Sequence, residues 1–66
     1  SLSSCGGYVA EGAQGGVITI YKLADGSDRN LRFDGAPEWL EVALVPGWVW
    51  GLTVNYQLEV MPWSSW

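Results

Sequence analysis

Residues 48–60 read W-V-W-G-L-T-V-N-Y-Q-L-E-V, and their side chains alternate between two classes. Trp50, Leu52, Val54, Tyr56, Leu58 and Val60 are apolar, whereas Gly51, Thr53, Asn55, Gln57 and Glu59 between them are small or polar. Successive side chains of a strand point to opposite faces. The alternation therefore predicts a β-strand with its large apolar side buried and its polar side wet. Such a strand spans roughly 43 Å at ~3.3 Å per residue, whereas a compact chain of this size is only about 28 Å across. The strand must bend, with Gly51 the expected bulge or bend site, or reach past its own domain to pair with a neighbour.

A chain of 66 residues makes one domain, in the size range where a core is marginal without added support. Cys5 is the only cysteine and histidine is absent. An internal disulfide is thus impossible, and the residues for a zinc site are lacking. No cofactor or metal is expected. The remaining sources of stability are association and a heavy aromatic core. Five tryptophans serve either, since each buries about 150–250 Å².

Lys22, Arg29 and Arg32 face seven carboxylates, for a formal net charge of -4. A nucleic-acid backbone requires a cationic footprint, which this composition does not supply. The same deficit argues against attraction to anionic lipid. No apolar run approaches the ~18 residues of a membrane helix. At the N-terminus, Ser1-Leu2-Ser3-Ser4-Cys5-Gly6-Gly7 resembles the end of a bacterial lipoprotein signal, in which Leu-Ser-Ser-Cys is cut before a lipid-bearing cysteine. Without a basic and apolar stretch ahead of Leu2, the favoured reading is a polar, cytosolic-type terminus left after removal of a starter methionine.

Residues 1–16 are rich in glycine and serine, with an apolar-bearing piece at Tyr8-Val9-Ala10. They predict a flexible or extended arm ahead of a single β-domain over residues 17–66. Residues 17–23 are dense in β-branched and aromatic side chains, with apolar groups on both faces. Asp25-Gly26-Ser27-Asp28 is turn chemistry, and residues 29–34 alternate so that Leu31 and Phe33 share a face. The two segments predict an antiparallel hairpin with a loop of about five residues. After Gly35-Ala36-Pro37, residues 38–45 place Leu40, Val42 and Leu44 on one side of a strand, a single helical turn after Pro37 being the alternative.

Pro46-Gly47 suits a type II turn, whose twist fits poorly inside a two-residue hairpin. Pairing across it would set Val45 against Trp48, Ala43 against Trp50 and Glu41 against Leu52. A carboxylate would then lie among the apolar residues of the last strand, while Leu40, Val42 and Leu44 point away. A one-residue slip flips every side chain, so a matched apolar face needs an odd loop or a bulge; the alternative, a corner between sheets, is expected here. Pro62 cannot donate to a ladder and ends the last strand.

Motifs for catalysis are missing. There is no histidine for acid–base or triad chemistry, and Gly12-Ala13-Gln14-Gly15-Gly16 lacks phosphate-loop spacing. Asp25, Asp28 and Asp34 offer oxygen ligands without a calcium-loop pattern, and a solvated turn is preferred. Glu38 and Glu41, or Asp34 and Glu38, beside Trp39 match the paired carboxylates of a glycosidase only in residue type, in a chain too small to wall off a cleft. No catalytic residue is assigned.

These observations predict an all-β fold, a four- to five-stranded antiparallel sandwich or barrel with a flexible N-terminal arm. The expected role is non-enzymatic: a structural or assembly subunit, with a virion or similar particle the specific expectation and a homo-oligomer or larger protein assembly the partner. Tyr8, Trp48, Trp63 and Trp66 are the candidate interface residues, because tryptophan and tyrosine are enriched in interface hot spots and the last two follow Pro62. The alternative partner is a carbohydrate, stacked on Trp39, Trp48 and Trp50.

Overall fold

A computed structural model describes residues 2–66; Ser1, the first residue of the expected polar terminus, lies outside the described residues. The described residues form seven strands and no helix: β1 (Leu2–Cys5), β2 (Tyr8–Ala13), β3 (Val17–Lys22), β4 (Asp28–Arg32), β5 (Trp39–Val45), β6 (Trp48–Thr53) and β7 (Leu58–Pro62). They make two antiparallel sheets, β1-β2-β3-β4 and β5-β6-β7, each a run of sequential neighbours. The all-β expectation holds. The strand number exceeds the four or five expected, for two reasons.

The first is the segment expected to be an arm. Leu2 pairs with Glu11 and Cys5 with Tyr8, and β2 in turn pairs with β3 from Tyr8–Lys22 to Ala13–Val17. Gly6 and Gly7, at φ 54° and 85°, form the two-residue connection of β1 and β2. Positive φ at both central positions is what a tight hairpin turn requires, and glycine adopts it without steric cost. Glycines that suggest flexibility are thus turn residues between short strands.

The second is the segment expected to be one long strand. It breaks after Thr53, turns through residues 54–57 and returns as β7, with Trp50 against Val60 and Leu52 against Leu58. This folding resolves the length conflict, since the whole molecule measures only 34 Å along its longest axis. The bend expected at Gly51 is instead a turn beyond it. Thr53 builds that turn: its hydroxyl accepts from the Asn55 and Gln57 amides at 3.3 and 3.1 Å, and its own amide donates to the Gln57 carbonyl at 2.9 Å.

The corner expected at Pro46-Gly47 is also absent. β5 and β6 pair across those two residues in the register Val45–Trp48, Leu44–Val49, Ala43–Trp50, Val42–Gly51 and Glu41–Leu52. Gly47 takes φ 84°, as the second central residue of a type II turn does. Trp63 steadies the turn from outside, its amide donating to the Gly47 carbonyl at 3.2 Å and its Nε1 to the Val45 carbonyl at 2.7 Å.

This register becomes favourable because β6 buries the face opposite to the expected one. Val49, Gly51 and Thr53 turn inward beside Val42 and Leu44, and Trp48 and Trp50 turn outward. The decisive residue is Trp39. A register shift between Trp39 and Glu41 is a bulge that sends Trp39 inward in place of Leu40, which is exposed. The indole then lies between the two sheets. A β-carbon on Gly51 would come within 2.2 Å of its Cζ3, and one on Gly12 within 3.0 Å of its Cβ and Cδ1. Its Nε1 donates to the Val17 carbonyl at 2.9 Å, and its ring meets Phe33 edge-on at 5.1 Å. Around it, Tyr8, Ala10, Ile18, Ile20, Phe33, Val42, Leu44 and Val49 from both sheets form one buried cluster.

The hairpin of β3 and β4 forms with Leu31 opposite Ile18. β1 and β2 lie against β5, where the Ser3 hydroxyl accepts from the Leu44 amide at 2.9 Å.

Candidate assembly surface

With Val49, Gly51 and Thr53 inside, alternation brings the large residues of the second sheet to its outer face. Three rows cross it: Val45–Trp48–Pro62, Ala43–Trp50–Val60 and Glu41–Leu52–Leu58. Glu41 is the single charge among these positions, and all but half-buried Leu52 are exposed. Trp48 is 49% and Leu58 59% exposed. Leu40, Val54 and Tyr56 are exposed as well, Tyr56 at 80%. Between the rows of Ala43–Trp50 and Glu41–Leu52–Leu58 lies a hollow of about 240 Å³. The outer face of the other sheet differs in kind. There Ser4, Glu11, Thr19, Tyr21, Asp28, Asn30 and Arg32 are interspersed with Leu2, Val9 and Val17. Tyr21 donates to the Glu11 carboxylate at 3.1 Å, and this hydrogen bond and the carboxylate charge raise the Tyr21 pKa.

The expected site residues separate into three groups. Trp48 and Trp50 share the apolar outer face. Trp39 is half-buried between the sheets, its indole nitrogen already bonded, and is not placed beside them. Tyr8, Trp63 and Trp66 come together within the chain. The Tyr8 ring lies edge-on to both indoles, at 5.2 and 5.0 Å between centroids. Its hydroxyl donates to the Trp66 carbonyl and accepts from the Trp66 amide at 2.9 Å. Trp66 Nε1 donates to the Ser27 hydroxyl at 2.9 Å, and the Arg29 guanidinium lies 4.6 Å over the Trp66 ring. Of the four interface candidates, Trp48 alone has its ring on the open sheet face. Sequence reasoning misses Val45, Leu58, Val60 and Tyr56 as surface residues. The signal for them is the same alternation, taken with the opposite face inward.

The polar candidates do not converge. Glu38 lines a hollow with Gln14 and Trp39, and Glu41 lines the hollow on the outer face of the second sheet. Asp25 caps its own turn, accepting from the Ser27 hydroxyl at 2.6 Å and the Ser27 amide at 3.0 Å. Those two bonds hold its carboxyl below the usual value. Among the described residues no cluster of acidic or cysteine side chains forms a metal-binding group, and no helix is long and apolar enough to cross a membrane. A third hollow, about 310 Å³, lies beside Cys5, Tyr8, Pro46 and Trp63. No protein-family model matches the chain, and no characterised protein or solved structure matches it either.

Proposed function

We propose that this chain is a non-enzymatic structural subunit that works inside a protein assembly, a virion or similar particle being the kind of assembly its architecture suits. The observation that carries this reading is the outer face of β5, β6 and β7, where Glu41 alone interrupts a continuous apolar surface. A soluble monomer has little reason to leave two indoles and a row of aliphatic side chains in water, and contiguous apolar patches of this kind mark association sites. Charge depletion with aromatic enrichment is the composition of an interface core. The charged residues of the other sheet supply the solvated side of such a subunit.

Sedimentation at micromolar concentration tests the reading. A mass of two or more chains, falling on dilution, is the expected result, and a monodisperse monomer throughout would overturn it.

A carbohydrate-binding role is the second reading, favoured by the placement of Trp48 and Trp50 two residues apart on one exposed face. It draws on two rings, because Trp39 is turned inward between the sheets. Tryptophan fluorescence titrated with a panel of glycans separates the two: a saturable change supports sugar stacking, and a flat response removes it.

A further inference from the structure

An edge strand offers unpaired amides and carbonyls to any other strand unless something covers or blunts it. The edges are β1 and β4 in one sheet, β5 and β7 in the other. β1 and β5 lie against each other, where the Ser3 hydroxyl takes the Leu44 amide. β4 packs on β3 and β7 on β6, and neither carries a strand on its outer side.

Hydrogen bonds at the ends of each ladder fix which backbone groups these two edges leave open. The Trp63 amide donates to the Gly47 carbonyl and the Thr53 amide to the Gln57 carbonyl. Bonded and non-bonded pairs alternate in an antiparallel ladder, so β6 bonds to β7 at Val49–Met61 and Gly51–Glu59. The amides and carbonyls of Leu58 and Val60, and the Pro62 carbonyl, therefore point away from β6. On β4 the Phe33–Gly16 and Lys22–Ser27 bonds turn Asp28, Asn30 and Arg32 outward in the same way. Charged side chains of that kind blunt an edge. The open positions of β7 carry instead Leu58 and Val60, 59% and 42% exposed.

Resting on the assembly reading above, we propose that β7 pairs antiparallel with β7 of a second copy, about a twofold axis at Val60, joining their three-stranded sheets edge to edge. A twofold contact is self-complementary, and the sequence of β7 meets that condition. In this register the two Val60 residues exchange both backbone bonds, and each Leu58 amide meets a Pro62 carbonyl of the other copy. Glu59 falls opposite Met61. Centred on Glu59, the strands would set two carboxylates directly opposite, which is destabilising. Centred on Met61, only the Val60 amides would find a carbonyl, because Pro62 has no N–H. Pairing with β4 of another copy would put Asp28, Asn30 and Arg32 beside Leu58 and Val60. Self-pairing carries the apolar row Ala43–Trp50–Val60 on into the same row of the second copy.

Amide hydrogen exchange read by NMR tests this on the intact chain, at high dilution and at a concentration where sedimentation shows assembly. In the dilute chain the Leu58 and Val60 amides should exchange freely. In the assembly they should slow at least about tenfold, as ladder amides do, while those of Asp28, Asn30 and Arg32 stay fast. A synthetic chain N-methylated at Val60 keeps every side chain and every bond from β7 to β6 but loses both axial bonds. Its association should weaken about tenfold or more, with the unfolding midpoint at high dilution unchanged. Assembly that leaves Leu58 and Val60 unprotected, or that N-methylation does not weaken, overturns this inference and leaves the assembly reading standing. Protection of Asp28, Asn30 and Arg32 together with β7 would mean head-to-tail pairing of copies and overturns the twofold contact as well. A wild type that stays monomeric overturns both readings.

Discussion

Gly51 and Trp39 are a matched pair, and the fold depends on the absence of one carbon atom between them. A β-carbon on Gly51 would lie 2.2 Å from Cζ3 and 2.6 Å from Cε3 of an indole fixed by Val17 and Phe33. The ring is held at its nitrogen and against Phe33, so Gly51→Ala is expected to cost about 3 kcal/mol, at the upper end for overpacking. Gly12→Ala, with its nearest contacts at 3.0 Å, is expected to cost less. Urea midpoints of the two variants check the order, and an unchanged midpoint for Gly51→Ala would defeat the account of Trp39. Asp25 offers a second test. Its carboxyl titrates below the ordinary value because the Ser27 hydroxyl, and then the Ser27 amide, donate to the charged form. A depressed carboxyl contributes stability above its unfolded pKa and loses it as pH falls through the folded one. The site is fully exposed, so this contribution is small, and the titration itself is the better readout. A carboxyl-carbon NMR titration should give a low midpoint for Asp25 that moves up in Ser27→Ala; the same midpoint in both would show that Ser27 is not the cause.

Trp63 and Trp66 carry the chain after β7 back over Tyr8, which makes this segment part of the fold's own support. Trp63 clasps the β5–β6 turn through the Val45 and Gly47 carbonyls. Trp66 reaches the β3–β4 loop through Ser27, whose hydroxyl also serves Asp25. Losing the Trp66 ring removes an edge-on aromatic contact, a cation–π contact and a hydrogen bond, and Trp66→Ala should destabilise by about 2–3 kcal/mol. Tyr8→Phe, which strips only the hydroxyl, should cost about 1 kcal/mol. Denaturant unfolding of both variants checks this, and a Trp66→Ala midpoint equal to wild type would mean that the segment is not docked in solution. The elements differ in how openly the sequence displays them. The β3–β4 hairpin is legible because β-branched runs flank clear turn residues. β1 and β2 are obscured because Gly6-Gly7 signals flexibility by composition as readily as it signals a turn. The buried face of β6 is the reverse of the expected one because size does not equal burial there. Gly51 is inside to admit an indole, and Thr53 is inside because its hydroxyl is used by the next turn. Groups outside the strand decide both cases, and alternation within one strand does not contain that information. The apolar surface stays hidden for the same reason, although Trp48 and Trp50 are conspicuous in the sequence.

At the scale of the molecule, the accessible surface is 4035 Å², close to the roughly 4,100 Å² that a folded monomer of 7.2 kDa exposes. The chain thus closes its own core, and its unusual property is the distribution of what remains outside: one sheet face rich in charged and polar groups, the other apolar. This separation predicts a response to salt opposite to that of an ion-paired interface. Copies carrying a net charge of -4 repel as they approach, while the contact itself is made by side chains without charge apart from Glu41. Raising ionic strength from about 0.01 M to 0.15 M shortens the screening length from ~30 Å to ~8 Å, so association should tighten as salt is added. It also follows that association and folding are separable. Trp48 and Val60 are 49% and 42% exposed and lie on the outer face, so Trp48→Ser with Val60→Thr should shift folding stability by no more than about 1 kcal/mol. The same pair should weaken association at least tenfold, as expected for loss of a tryptophan from an interface core. Sedimentation across the salt series, with denaturant unfolding of the double variant, decides the matter. Tighter association in low salt would place charged residues at the contact and move the assembly surface to the other sheet. A double variant that keeps its fold and sheds its mass would locate that surface on β5, β6 and β7.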